Sequence, residues 1–389
     1  MDAASASPVA SEGSKMKWTL SARVAAVVIA SALGSSSAFA QSASSDVRPQ
    51  AAAEPTDGWA TLPTEAYRGK RDDIVFVDAR TGFYGTGAGD LFRTQDGGAT
   101  WTKLWSKGGT FIRALGFVDG KRGFLGNVGD VYPNVTDTTP LYRTLDGGVT
   151  WTPVDLRGAS IPGVCAINVV RTRSIHQGSL RDRIVIHAAG RVGGPAKLLR
   201  SVDGGDSWSV VPLPAEAGMV LDVKFLDADT GFVFAGTSSD AQQSEALILK
   251  TRDGGRSWRS VYRSGRKLEN SWKASFPDRR TGFATVQSYD PQRAAQVIVK
   301  TTDGGETWAE VPLVQDPKAR QFGIGFATRD LGWVGTAAGG FETRDGGRSW
   351  SRTALAPAAN KIRTRAADGT PMVYAVGTQV QRLQPSARK

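Results

Sequence analysis

The stretch RTQDGGATWTKL, Arg93–Leu104, places Thr94 two residues before Asp96, sets two glycines behind the acid, and puts Trp101 five residues beyond it. Asp-Gly-Gly is a hairpin signal, because glycine reaches positive φ without steric cost and the carboxylate can accept the turn's own N–H groups. The Thr before the Asp and the one before the Trp offer hydroxyls to the same turn, while the Trp covers apolar surface beside it. The pattern returns as TLDGGVTW from Thr144, SVDGGDSW from Ser201, TRDGGRSW from Thr251, TTDGGETW from Thr301 and TRDGGRSW from Thr343. Its landmarks are Asp96 and Trp101, Asp146 and Trp151, Asp203 and Trp208, Asp253 and Trp258, Asp303 and Trp308, and Asp345 and Trp350. Successive aspartates lie 50, 57, 50, 50 and 42 residues apart, a period that suits a four-stranded propeller blade.

A second repeat precedes most hairpins. FVDARTGF from Phe76, FVDGKRGF from Phe117, FLDADTGF from Phe225, FPDRRTGF from Phe276 and FATRDLGW from Phe326 each join an apolar strand, a polar turn and a Gly-aromatic opening of another strand. One unit therefore reads strand, turn, strand, loop, strand, Asp-Gly-Gly hairpin, strand. After Trp350 come KIRTRAADG, PMVYAVG and QVQRLQ, three strand-like runs without a hairpin motif, while DGWATLP at Asp57–Pro63 matches only a hairpin and last strand. The expectation is all-β: a seven-bladed β-propeller of four-stranded antiparallel blades, the last closed by the N-terminal strand, over residues 57–385. The third unit, from about Ile161 to Leu213, departs most, with a longer basic first turn and no Gly-Phe.

The eight-residue motif resembles the Asp box, or BNR repeat, of sialidases, sortilin-type receptors and related propellers. The whole unit, with its Phe-x-Asp half before each box, is most similar to the photosystem II assembly and stability factor family, which has relatives in non-photosynthetic bacteria. The likeness runs from about Gly58 to Leu383. It implies a non-enzymatic propeller that helps assemble a membrane protein complex from its lumenal or periplasmic side. Photosynthesis is implied by the family name alone, since Asp boxes recur in proteins of unrelated function.

The first forty residues differ from the rest. Lys15 and Lys17 precede the apolar run Val24–Gly34, and Ala38 and Ala40 supply the small-x-small pattern of a signal cleavage site. A signal peptide over residues 1–40, with Met16 as an alternative start, predicts a periplasmic or secreted protein. The run falls short of the roughly 18 to 20 residues that span a bilayer, so no transmembrane segment is expected after cleavage. Residues 41–56, rich in Ala, Ser and Pro, read as a flexible lead-in. The single cysteine, Cys165, excludes an intramolecular disulfide and sits in an apolar run that suits burial. The net charge of +11 is spread along the chain rather than gathered in a basic run, which argues against nucleic acid. A monomer with a protein partner, a subunit of a membrane or periplasmic complex, is expected.

Catalytic signals are thin. The sialidase Phe/Tyr-Arg-Ile-Pro motif is absent, the nearest runs being FIRA at Phe111 and AYRG at Ala66. His176 and His187 have no Cys or acidic pair at metal-ligand spacing, and GTGAGD at Gly85 joins two strands with no helix to hold a phosphate. No catalytic, cofactor or metal residue is assigned; a sialidase-like glycoside hydrolase or a polysaccharide-binding propeller stands as the alternative. Binding is expected on the face shared by the loops that join blades and those that join second to third strands. Lys107, Tyr132, Arg191, Arg266, Lys267, Trp272, Tyr289 and Arg320 are placed there, since Arg and aromatic side chains dominate protein interfaces.

Overall fold

The computed structural model describes residues 58–176, 179–367 and 370–384; residues 1–40, expected to be a signal peptide, and 41–56, expected to be a lead-in, lie outside the described residues. Strand β1 (Trp59–Thr61) is followed by the first blade, β2 (Arg71–Phe76), β3 (Gly82–Thr86), β4 (Asp90–Thr94) and β5 (Thr102–Ser106). The second holds β6 (Ile112–Phe117), β7 (Gly123–Asn127), β8 (Leu141–Thr144) and β9 (Thr152–Pro153), and the third β10 (Ala166–His176), β11 (Ser179–Gly190), β12 (Lys197–Ser201) and β13 (Ser209–Val211). The fourth is β14 (Met219–Phe225), β15 (Gly231–Gly236), β16 (Ala246–Thr251) and β17 (Arg259–Arg263). The fifth is β18 (Glu269–Ser275), β19 (Gly282–Ser288), β20 (Ala295–Thr301) and β21 (Ala309–Gln315). The sixth is β22 (Gln321–Phe326), β23 (Gly332–Thr336), β24 (Gly339–Thr343) and β25 (Ser351–Thr353), and the last β26 (Lys361–Ala367), β27 (Thr370–Val376) and β28 (Val380–Leu383).

Each blade is an antiparallel sheet in sequence order, and the seventh has the order β1-β28-β27-β26. Trp59 pairs with Leu383 and Thr61 with Gln381, so the two ends of the domain share one sheet, as the truncated N-terminal motif implies. First strands touch the first strands of neighbouring blades, which places them innermost around the axis and the fourth strands outermost.

The two sequence repeats hold adjacent blades together. Phe76 stacks on Tyr374 at 3.8 Å, Phe117 on Phe83 at 3.9 Å and Phe326 on Phe283 at 3.5 Å, each first-strand ring lying on the second strand of the blade before it. The recurring spacing to glycine follows from that ring: a Cβ on Gly82 would lie 2.5 Å from Phe76 and one on Gly123 2.5 Å from Phe117. The box tryptophans stand edge-on to the same rings, Trp101 to Phe76 at 6.1 Å and Trp308 to Phe276 at 5.9 Å.

The box itself ties three things together. Thr94 Oγ1 donates to Asp96 (2.7 Å) and accepts the N–H of Gly98 (2.8 Å), while Asp96 accepts the N–H of Thr100 (2.9 Å). In the second blade the hydroxyl and N–H of Thr150 hold Asp146 down to about 2, so the carboxylate stays ionised as an acceptor. The first glycine donates to the turn between its own blade's first two strands, as in Gly97 to Arg80 O (2.8 Å) and Gly304 to Arg280 O (2.8 Å). Its carbonyl is gripped by a cation from the preceding blade: Lys250 reaches Gly304 O (2.6 Å) and Lys300 reaches Gly346 O (2.8 Å).

The third blade differs from the expectation of a longer turn. Its extra residues extend the strands, with unbroken pairing from Ala166↔Ala189 to His176↔Ser179. His187 occupies the place other blades give to the aromatic after glycine, and stacks on Phe225 at 3.5 Å. It does not face the channel. Its two nitrogens are buried without partners, and burial, with Arg200 nearby, brings its pKa down to about 3. Cys165 is buried, as expected.

Candidate partner-binding face

The first strands run inward from the face that carries the inter-blade loops. Their early residues are unusually polar for a sheet interior. Four residues before each first-strand Phe, or its structural equivalent, the seven blades contribute Asp72, Arg113, Cys165, Leu221, Trp272, Phe322 and Asn360. These side chains bridge the axis. Arg113 is bonded to Asp72, Asn360 donates to Asp72 Oδ1 (2.6 Å), and Trp272 donates to Asn360 Oδ1 (3.3 Å), which links the first, second, fifth and seventh blades. Lys70 adds a 2.9 Å ion pair to Asp72.

Above this layer lies an aromatic and cationic mouth. Lys70 sits 5.8 Å from the Trp272 ring centre and 5.7 Å from that of Phe322; Arg113 approaches Trp272 from 5.3 Å. Arg320 lies over Tyr289 (5.3 Å) and Phe322 (5.5 Å), and Tyr132 packs against Phe111 at 5.3 Å. Burial pushes the Tyr289 phenol up to about 12, against the opposing pull of Arg320, so it stays a neutral hydrogen-bonding group. Burial also lowers Lys70, with Asp72 opposing the shift.

Of the eight residues assigned from sequence, Tyr132, Trp272, Tyr289 and Arg320 converge on this mouth. Trp272 is not on a loop, as the polar run RSGRKLENSW suggests, but within β18 and 5 % exposed. The correction has a physical reason: around the axis a first strand faces other polar side chains, so a polar stretch there is still strand. The remaining four are engaged elsewhere on the face. Lys107 pairs with Asp137 (3.2 Å), Arg191 with Asp130 (2.6 Å), Arg266 with Glu269 (2.9 Å) and Glu310 (2.5 Å), and Lys267 with Glu245 (3.5 Å). Lys70, Arg113 and Phe322 were not anticipated. Arg113 and Phe322 stand four residues before the repeat's Phe within their first strands, and Lys70 lies just ahead of β2.

The carboxylates of the inner channel are held as anions. Burial raises Asp73, but Arg363 (2.9 Å), Lys361 and the N–H of Leu115 outweigh it and keep the group below its usual range. Asp222 is depressed likewise, burial being overcome by Lys361 (3.4 Å), Lys224 and Lys273. A glycosidase needs one carboxyl raised so that it carries a proton to the leaving group; these two are shifted the other way.

Fold and site together define a seven-bladed Asp-box β-propeller with a cross-braced centre. Within that class, residues 201–318 match the family described as photosynthesis system II assembly factor YCF48. No curated protein matches the sequence. Among solved structures, YCF48 bound to D1 peptide aligns at 16 % identity with a TM-score of 0.59, covering 85 % of this chain and 96 % of that one. YCF48 from Cyanidioschyzon merolae aligns at 14 % identity and 0.59, covering 85 % and 100 %. The GH74 enzyme of Niastella koreensis aligns at 15 % identity and 0.53, covering 81 % of this chain and 52 % of that one. At these identities the structures share the fold. Among the described residues no helix is long and apolar enough to cross a membrane.

Proposed function

We propose that this protein is an exported assembly factor that binds a segment of a membrane or periplasmic protein complex at the channel mouth. The observation that carries the reading is the grouping of Tyr132, Tyr289, Arg320, Phe322 and Lys70 above a sealed axis. Rigid aromatics beside cations suit an extended peptide with an acidic group, the aromatics supplying area and the cations orientation. The YCF48 structure that contains a D1 peptide supports a peptide ligand, and the signal-like residues 1–40 support export.

The test is capture from periplasmic and inner-membrane extracts with the full chain carrying a photo-crosslinker at position 289. A discrete protein adduct is expected, and Arg320→Ala should weaken capture by roughly tenfold or more, as truncating an interface anchor does. Failure to capture any protein would overturn the reading, as would turnover of a fluorogenic sialoside that Arg320→Ala abolishes.

A further inference from the structure

Below the bracing layer the channel changes character. The next turn of first strands brings Lys273, Lys361 and Asp222 together, followed by Lys224 and Arg363 with Asp73 alongside. Four cations face two carboxylates. Arg363 is satisfied, holding Asp73 through two nitrogens and the carbonyl of Ile74 at 3.1 Å. Lys361 reaches Asp222 at 3.4 Å, and Asp222 also accepts the N–H of Ala274 at 3.1 Å. The ammonium of Lys273, 2 % exposed, has one acceptor, the carbonyl of Leu221 at 2.6 Å. Among the described residues the ammonium of Lys224 has no hydrogen bond or ion pair. Two ammonium groups with unfilled donors therefore lie beside Lys361 in a channel whose acids are already taken, and an ammonium has three N–H donors to place.

We infer that the lower channel is a binding site for a small multivalent oxyanion of the phosphate or sulfate class, held by Lys224, Lys273 and Lys361. Such an ion offers several acceptor oxygens and at least two negative charges, which matches both the unfilled donors and the surplus of positive charge. A chloride ion supplies one charge and no oxygens, and a neutral ligand leaves the like charges facing each other. Burial lowers Lys224 to about 8 and Lys273 well below its usual value, each with Lys361 adding repulsion, the strain that a bound anion relieves. The bracing layer of Trp272, Asn360, Asp72 and Arg113 lies between this site and the mouth.

The experiment is calorimetric titration of the full chain with inorganic phosphate, and separately with sulfate, in chloride buffer at fixed ionic strength. One saturable site is expected, with Lys224→Met weakening it at least tenfold and Arg344→Ala, a change at an exposed surface cation, leaving it unchanged. Lys224→Met should also raise the melting temperature in anion-free buffer, because it removes an unpaired charge, and should abolish the further rise that phosphate gives the native chain. If Lys224→Met does not fold, Lys273→Met reads the same quantities. The inference is overturned if phosphate and sulfate show no saturable binding, if equal ionic strength of sodium chloride reproduces the stabilisation, or if the lysine variants bind as tightly as the native chain. Partner capture at position 289 is measured separately, so failure here leaves the mouth reading standing, and the reverse.

Discussion

The second glycine of the box gives a sharp test of how blades are joined. Gly255 has φ +96°, and a Cβ there would lie 2.6 Å from Cγ1 of Val211, which belongs to the preceding blade and is 7 % exposed. Two costs follow for Gly255→Ala. An L-residue in the left-handed region costs about 1–2 kcal/mol, and forcing a methyl into a packed contact costs about 1–3 kcal/mol, so a loss of about 2–5 kcal/mol is expected. Gly193 separates the two: its φ is +75° but nothing lies within 4 Å of its Cβ position, so Gly193→Ala should lose only the backbone share, about 1–2 kcal/mol. In a Val211→Ala background the added cost of Gly255→Ala should shrink towards that same value, because the opposing methyl has gone. Urea unfolding followed by tryptophan fluorescence reads the native chain and the four variants, with the m-value checked for constancy. Equal losses at positions 255 and 193, or no coupling to Val211, would refute the claim that this glycine exists to let blades touch.

The other expectations concern buried polar groups. His187→Phe keeps the stack on Phe225 and removes two unpartnered nitrogens, so it should stabilise by about 1–3 kcal/mol at pH 7. Because the folded pKa of His187 is about 3, below its unfolded value, the native chain loses stability as pH falls from about 6.5 towards 3. The advantage of His187→Phe should therefore grow by a few kcal/mol between pH 7 and pH 4, read by denaturant midpoints at each pH; a gap independent of pH would refute it. Asp72→Ala strands Arg113, 3 % exposed, and should cost about 3–5 kcal/mol, much of which Asp72→Leu with Arg113→Met should recover, as thermal unfolding would report. Lys300→Met removes the bond to Gly346 O and the 5.3 Å approach to Phe283, and should cost about 1–2 kcal/mol by the same measurement.

The ring of blades is legible in the sequence because its determinants are local. A box needs its Thr, Asp, glycines and Trp within eight residues, and the Phe76–Gly82 clash lies within seven, so each repeat declares its own geometry. Blade closure is legible for the same reason, since DGWATLP is a fragment of that unit. The centre is not. Asp72, Arg113, Trp272 and Asn360 come from four different blades and meet only after the ring has closed, so nothing near any of them in sequence announces the others. Trp272 shows the consequence, because its polar neighbours imitate a loop. His187 is a similar case: without its stack on Phe225, a lone histidine in IVIHAAG gives no sign that it stands in for a phenylalanine.

The bond from Thr61 to Gln379 at 2.9 Å joins residues 318 positions apart, and it belongs to the one sheet that needs both ends of the domain. During synthesis the earliest strand therefore waits for the final one. Until Val380–Leu383 emerges, the nascent polypeptide is an open fan with two unprotected edges, and a stop between the sixth box and Val380 leaves it so. Completion of the circle thus reports that synthesis has passed Leu383.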